Sequence, residues 1–179
     1  IVNFATKEHA VGLTALARRR VTRKLYGWVA YTLMWTQLRF VETAPNTSFR
    51  DRPTDFDQRH NFNVVASYIL PKNWRIGGRF RVVTGFPFTP VIGSINLQGS
   101  RGAILGNRNS DRLGTFHQLD LRIDKRWIRD RAIITGYVDV QNIYNRQNPE
   151  AVLYGADFRE QEGVVGVPIF PSLGIRVDY

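Results

Sequence analysis

Pro171-Ser172-Leu173-Gly174-Ile175-Arg176-Val177-Asp178-Tyr179 is the stretch on which the reading of the chain turns. In an extended conformation Leu173, Ile175, Val177 and Tyr179 share one face, and Ser172, Gly174, Arg176 and Asp178 share the other. Strict alternation of this kind predicts a strand with one apolar and one polar side. Soluble sheets carry the same pattern. Its meaning depends on whether the preceding sequence repeats it, at what length, and with what between the repeats.

The pattern does repeat, back to the start of the chain. Residues 132–144 set Ile134, Val138 and Val140 against Thr135, Tyr137, Asp139 and Gln141. Residues 116–127 set Leu119, Leu121, Ile123 and Trp127 against Gln118, Asp120, Arg122 and Asp124. Residues 74–86 are clearest, with Trp74, Ile76, Gly78, Phe80, Val82 and Phe86 opposite Arg75, Gly77, Arg79, Arg81 and Gly85. Residues 60–70, 25–40 and 8–20 complete a set of seven expected strands. Each is about the ~9–11 residues that cross a bilayer when tilted. The connections alternate: 21–23, 71–73 and 128–131 are short, whereas 41–58, 87–115 and 145–170 are long and rich in turn residues. Outer-membrane barrels segregate short periplasmic turns from long external loops in this way.

Aromatic placement is an independent sign. On the apolar faces Tyr68, Trp74, Trp127 and Tyr179 lie at the short-turn ends, and Trp35, Phe62, Phe86 and Tyr144 at the long-loop ends. Two aromatic girdles around an aliphatic band are what two lipid–water interfaces select. The fold class expected is therefore all-β, a transmembrane antiparallel β-barrel. Bacterial single-chain barrels have an even strand number. Seven strands ending in the periplasm make residues 1–179 the C-terminal segment of a larger barrel domain, and a start at Ile1 fits a chain processed or cut from something longer.

The totals agree with this. No apolar run approaches the ~20 residues of a membrane helix, which leaves a barrel open. With no cysteine there is neither a disulfide framework nor thiolate chemistry. The net charge of +10 invites a nucleic-acid partner. However, most arginines stand singly at alternate positions rather than on one helix face or in one tail, which argues against it. Arg18–Arg20 with Arg23 and Lys24 reads as a solvated turn.

Several segments resemble the C-terminal barrel region of TonB-dependent outer-membrane receptors. They are Asp57-Gln58-Arg59-His60-Asn61, Thr84-Gly85-Phe86-Pro87, Asp139-Val140-Gln141-Asn142-Ile143-Tyr144-Asn145, and Pro168 to Arg176 with its Leu173-Gly174-Ile175-Arg176. Leu25-Tyr26-Gly27-Trp28 leading into Tyr31-Thr32 resembles the family earlier in the barrel. The resemblance implies a barrel of about 22 strands closed by an N-terminal plug. It further implies active uptake of a scarce nutrient such as a metal chelate, oligosaccharide or peptide, powered through the TonB complex at the bacterial outer membrane. The implied partners are outer-membrane lipid and lipopolysaccharide, the rest of the barrel, its plug, and other outer-membrane or surface proteins meeting the long loops. Tyr179 stands where the family's assembly signal more often has Phe.

The candidate lumen- or plug-facing residues are Arg75, Arg79, Arg81, Asp120, Arg122, Asp124, Asp139 and Arg176, with Asp178 beside them. Asp120 and Asp124 are expected to pair across strands with the arginines of residues 75–81. Arginines beside these carboxylates favour ionisation, so no general acid–base pair is expected, and no nucleophile order or phosphate-cradling loop appears. We expect neither an enzyme nor a cofactor. His9, His60 and His117 face outward on strands two apart, ~9.6 Å, too far to share a metal ion. Trp28, Val65, Ile69, Val83 and Ile133 fall on the polar side, where a packed plug would accommodate them. Two other readings remain: a structural or binding barrel component without transport, and a soluble β-sandwich that binds a polyanion.

Overall fold

The computed structural model describes residues 5–22, 24–41, 51–97, 100–158 and 160–179. Arg23, Gly99 and half of the expected 41–58 loop, including Pro45 and Asn46, lie outside them. The strands in chain order are β1 (Ala5–Thr22), β2 (Leu25–Val41), β3 (Arg52–Pro53), β4 (His60–Leu70), β5 (Trp74–Val83), β6 (Pro87–Phe88) and β7 (Val91–Leu97). There follow β8 (Ser100–Leu105), β9 (Asp111–Arg112), β10 (Phe116–Arg129), β11 (Ala132–Gln141), β12 (Pro149–Tyr154), β13 (Gln161–Val165) and β14 (Phe170–Asp178). The protein is all-β and its pairings are antiparallel.

The main sheet runs β1-β2-β4-β5-β10-β11-β14, with β3 laid beside β2. The seven alternating segments are therefore the seven long strands, each next to the one before it. Register fixes the faces, because directly opposed residues of an antiparallel pair share a side. Leu25, Tyr68, Ile76, Ile123, Val138 and Leu173 follow one another across six strands as a single apolar row. The polar face carries the opposed pairs Arg79–Asp120 and Arg122–Asp139.

The short connections are tight for local reasons. Lys72 and Asn73 both have positive φ, 59° and 61°, the geometry of a type I′ hairpin, whose twist matches the strands it joins. The long ones hold structure of their own. The long 87–115 connection, rich in turn residues, contains the β7–β8 hairpin and the β6–β9 pair. Within the long 145–170 connection β12 and β13 form a small hairpin of their own.

Two expected strands end sooner than alternation suggested. β5 stops at Val83 rather than Phe86, and β11 at Gln141 rather than Tyr144. At the first stop, a Cβ on buried Gly85 would run into the Leu113 carbonyl, so this glycine lets two loop backbones close on each other. Gly85→Ala is expected to cost about 2 kcal/mol and to loosen 84–115 while sparing β10–β11. Amide exchange at Leu113, whose N–H donates to the Phe86 carbonyl at 2.9 Å, reads it directly. At the second stop Asn142 and Asn145 each have φ 51°, a left-handed conformation that asparagine tolerates and strand residues avoid.

Candidate functional site

On the polar side of the sheet an open hollow of about 760 Å³ is lined from β4, β5, β10, β11 and β14. Arg75, Arg79, Asp120, Arg122, Asp124, Asp139 and Arg176 all line it, together with Asp178. Of the sequence candidates Arg81 stands outside, its guanidinium 5.5 Å from the Phe116 ring centroid.

Within the hollow the charges are largely answered by one another. Arg79 donates to Asp120 from Nη2 at 2.6 Å and from Nε at 2.9 Å. The other Asp120 oxygen accepts from Gln118 at 2.6 Å and from the Asn142 N–H at 3.0 Å. One strand position thus joins the wall to the turn after β11. The expected cross-strand pairing fails at Asp124. Arg75 stands opposite it in register, but Arg122, two residues back on the same strand, takes the carboxylate through Nε at 3.0 Å and Nη2 at 2.9 Å. Arg122 is held there by the Tyr137 ring, whose centroid lies 3.9 Å from the guanidinium, a cation–π stack. It also reaches Asp139 at 3.9 Å. Tyr137 in turn lies over Gly174, where an added Cβ would sit 2.5 Å from its hydroxyl. The glycine of the closing stretch is there to make room for this ring. Arg176 likewise pairs within its own strand, with Asp178 at 2.8 Å.

Above the hollow, at the long-loop end, the loops interlock over the polar face. Asp57 is 1% exposed. It accepts from the Thr36 N–H at 2.8 Å and from Arg112, with Arg59 at 3.5 Å. Arg112 also donates to the Asp57 carbonyl at 2.5 Å. Burial pushes the Asp57 carboxyl up, but the Thr36 amide and the two arginines outweigh it and hold the group below the usual carboxylate range. Asn109 donates to the Pro53 carbonyl at 2.9 Å and to Asp55 at 2.6 Å. The third loop joins through Asn148, whose amide donates to the His117 carbonyl and accepts from the His117 N–H, both at 3.0 Å. That side chain does for β10 what a further strand residue would. Val83, expected on the plug side, is 1% exposed among these loops. A further hollow of about 440 Å³ lies among them, lined by Asp55, Phe88, Arg108 and Asn109 with neighbours.

Asn142 shows what sequence reading missed. It was singled out as part of a resembling segment without a role. It is 1% exposed, donates to the Arg146 and Val167 carbonyls at 2.9 and 3.1 Å, and accepts from the Arg146 N–H at 2.9 Å. Asn145 accepts from the Ile169 N–H at 2.9 Å. The spacing of two asparagines just after a strand was the available signal. Asn142→Ala removes the left-handed preference and strands two carbonyls and an N–H, so we expect a loss of about 3 kcal/mol, read as faster exchange at the Arg146 amide.

The girdle residues stand on the apolar face or its rims. Trp35, Tyr68, Trp74, Phe86, Trp127 and Tyr144 are each 41–43% exposed, Phe62 is half-buried, and Tyr179 is fully open. Phe86 and Tyr144 belong to the loop segments just past their strands. Two histidines face tyrosines: Tyr31 Oη lies 2.8 Å from His60 Nδ1, and Tyr144 Oη lies 2.8 Å from His117 Nδ1. Among the described residues no three His, Asp, Glu or Cys side chains come together as a metal site. Comparison with protein-family models, curated proteins and solved structures found no match for this chain.

Proposed function

We propose that this chain is part of the wall of an outer-membrane active-transport barrel of the TonB-dependent kind, with lipid against its apolar face and a plug against its polar one. The observation that carries the reading is the bareness of the apolar face. Ile76 is 38% exposed, Ile123 44%, Val138 52%, Ile175 77% and Leu173 83%, in neighbouring rows over which no described residue forms a layer. A water-soluble fold covers such rows with a second sheet or helices. Hydrocarbon needs no cover. The polar face, by contrast, has a charge-lined hollow of the sort that a plug or a permeating solute would meet.

The edges of β1 and β14 support a larger closed barrel, since among the described residues each pairs on one side only and an open edge is not tolerated in lipid. In this reading the long connections 41–58, 87–115 and 145–170 face the exterior and meet substrate. The test is to follow the intact polypeptide in its own cells with an antibody to this segment. Transport predicts that it fractionates with the outer membrane and that its deletion abolishes an uptake requiring proton-motive force and TonB. Recovery in the aqueous fraction without detergent would end the proposal. Outer-membrane residence with no such uptake would favour a structural barrel component, the reading that the interlocked loops also suit.

A further inference from the structure

Every acidic strand residue of the main sheet whose side chain is described is on the polar face: Glu8, Asp120, Asp124, Asp139 and Asp178. The apolar face bears charge only as cations, and only near strand ends. At the long-loop end these are Lys7 and Arg39, with Arg39 held by Asp51 at 2.9 Å. At the short-turn end they are Arg19, Lys125 and Arg129, and among the described residues none of the three has a carboxylate within ion-pair reach. The turns beside them add Lys24, Lys72 and Arg131 against Asp130 alone. The described carboxylates do not neutralise this rim.

Lys125 shows how the rim is built. It stands opposite Trp74, with Nζ 5.1 Å from the indole centroid and donating to the Lys72 carbonyl at 2.5 Å. Its stem covers apolar surface while its head is drawn to the turn, the arrangement by which lysine reaches an interface. An ammonium has three N–H donors, so the carbonyl leaves capacity for an anion. Lys72 itself occupies a left-handed position where Asn, Asp or Gly fits better, so a cation is kept at this tip against local backbone preference.

We propose that the short-turn rim, through Arg19, Lys125 and Arg129, binds the phosphates of anionic phospholipid headgroups in the leaflet next to those turns. The proposal rests on the membrane reading above and adds headgroup selectivity to it. A membrane surface with anionic lipid attracts a nearby Lys or Arg by an amount equivalent to about fivefold in affinity. Two such residues then give roughly twentyfold.

The intact polypeptide containing this segment is reconstituted in vesicles doped with dansyl-labelled phosphatidylglycerol or phosphatidylcholine, and energy transfer from tryptophan is measured; Trp74 and Trp127 lie at this rim. The expected result is preference for the glycerol headgroup, weakened by salt, and reduced roughly twentyfold in Lys125→Gln/Arg129→Gln. Lys125→Arg/Arg129→Lys should keep it, and Lys7→Gln at the opposite end should leave it unchanged. Equal transfer from both lipids in the wild type would overturn the headgroup proposal and spare the membrane reading. Transfer from neither lipid would overturn both.

Discussion

Ile123→Arg is expected to abolish stable insertion of the intact polypeptide into bilayers, whereas on a face covered by water the same change would cost almost nothing. Ile123 lies in the apolar row between Ile76 and Val138 and is 44% exposed. If water covers that face, arginine is at least as comfortable as isoleucine, and the change stays within about 0.5 kcal/mol. If hydrocarbon covers it, arginine near the midplane costs about 2–4 kcal/mol. That is enough to shift insertion by one to three orders of magnitude. Arg81→Val is the matched control. Arg81 is on the polar face and its contact is with the Phe116 ring, so its loss should be mild. Insertion yield into vesicles measures both, and the reverse ranking would show that the faces are assigned the wrong way round.

Asp57→Asn should unlock the loops without touching the wall. The carboxylate is buried, and Arg112 keeps only a quarter of its side chain in water. Removing one partner of a buried pair costs about 3–5 kcal/mol. The partial exposure of Arg112 puts this case near 3 kcal/mol, or about a hundredfold faster exchange at the Thr36 amide. The pH dependence has the same origin. A carboxyl whose folded pKa is depressed stabilises fully above its ordinary value of about 3.9, and the stabilisation fades as pH falls through the folded value. Acidification below the usual carboxylate range should therefore release Thr36 in the wild type, and should change little in Asp57→Asn. Exchange at Thr36 that ignores both the substitution and the pH would mean that the buried cluster does not hold the loops.

The wall was legible because a strand's period of two needs no knowledge of distant contacts. β4 runs over His60–Leu70 as the alternation said, and Leu173, Ile175 and Val177 share the face expected of them. Seven of the eight charged candidates likewise follow from parity into one hollow. Their pairing did not follow. Whether Asp124 goes to Arg75 or Arg122 depends on Tyr137 lying across Gly174, a contact between β11 and β14 that alternation cannot show.

The loops were least legible for the same reason. Asp57 and Arg112 are 55 residues apart, and Asn148 meets His117 across 31. Polar residues that read as loop composition turn out to be the buried fastening of three loops. Two of the three histidines whose outward parity was read from sequence, His60 and His117, are paired with tyrosines near the long-loop ends of the strands.

The most direct test of hydrocarbon on the apolar face uses the absence of cysteine. Single cysteines at positions 121 to 126 along β10 of the intact polypeptide, each spin-labelled in vesicles, can be examined for collision with oxygen and with a water-soluble nickel chelate. Period two is predicted: positions 121 and 123 accessible to oxygen and shielded from nickel, positions 122 and 124 the opposite or shielded from both. Nickel access at 121 and 123, or shielding of both from oxygen as in a protein core, would contradict it.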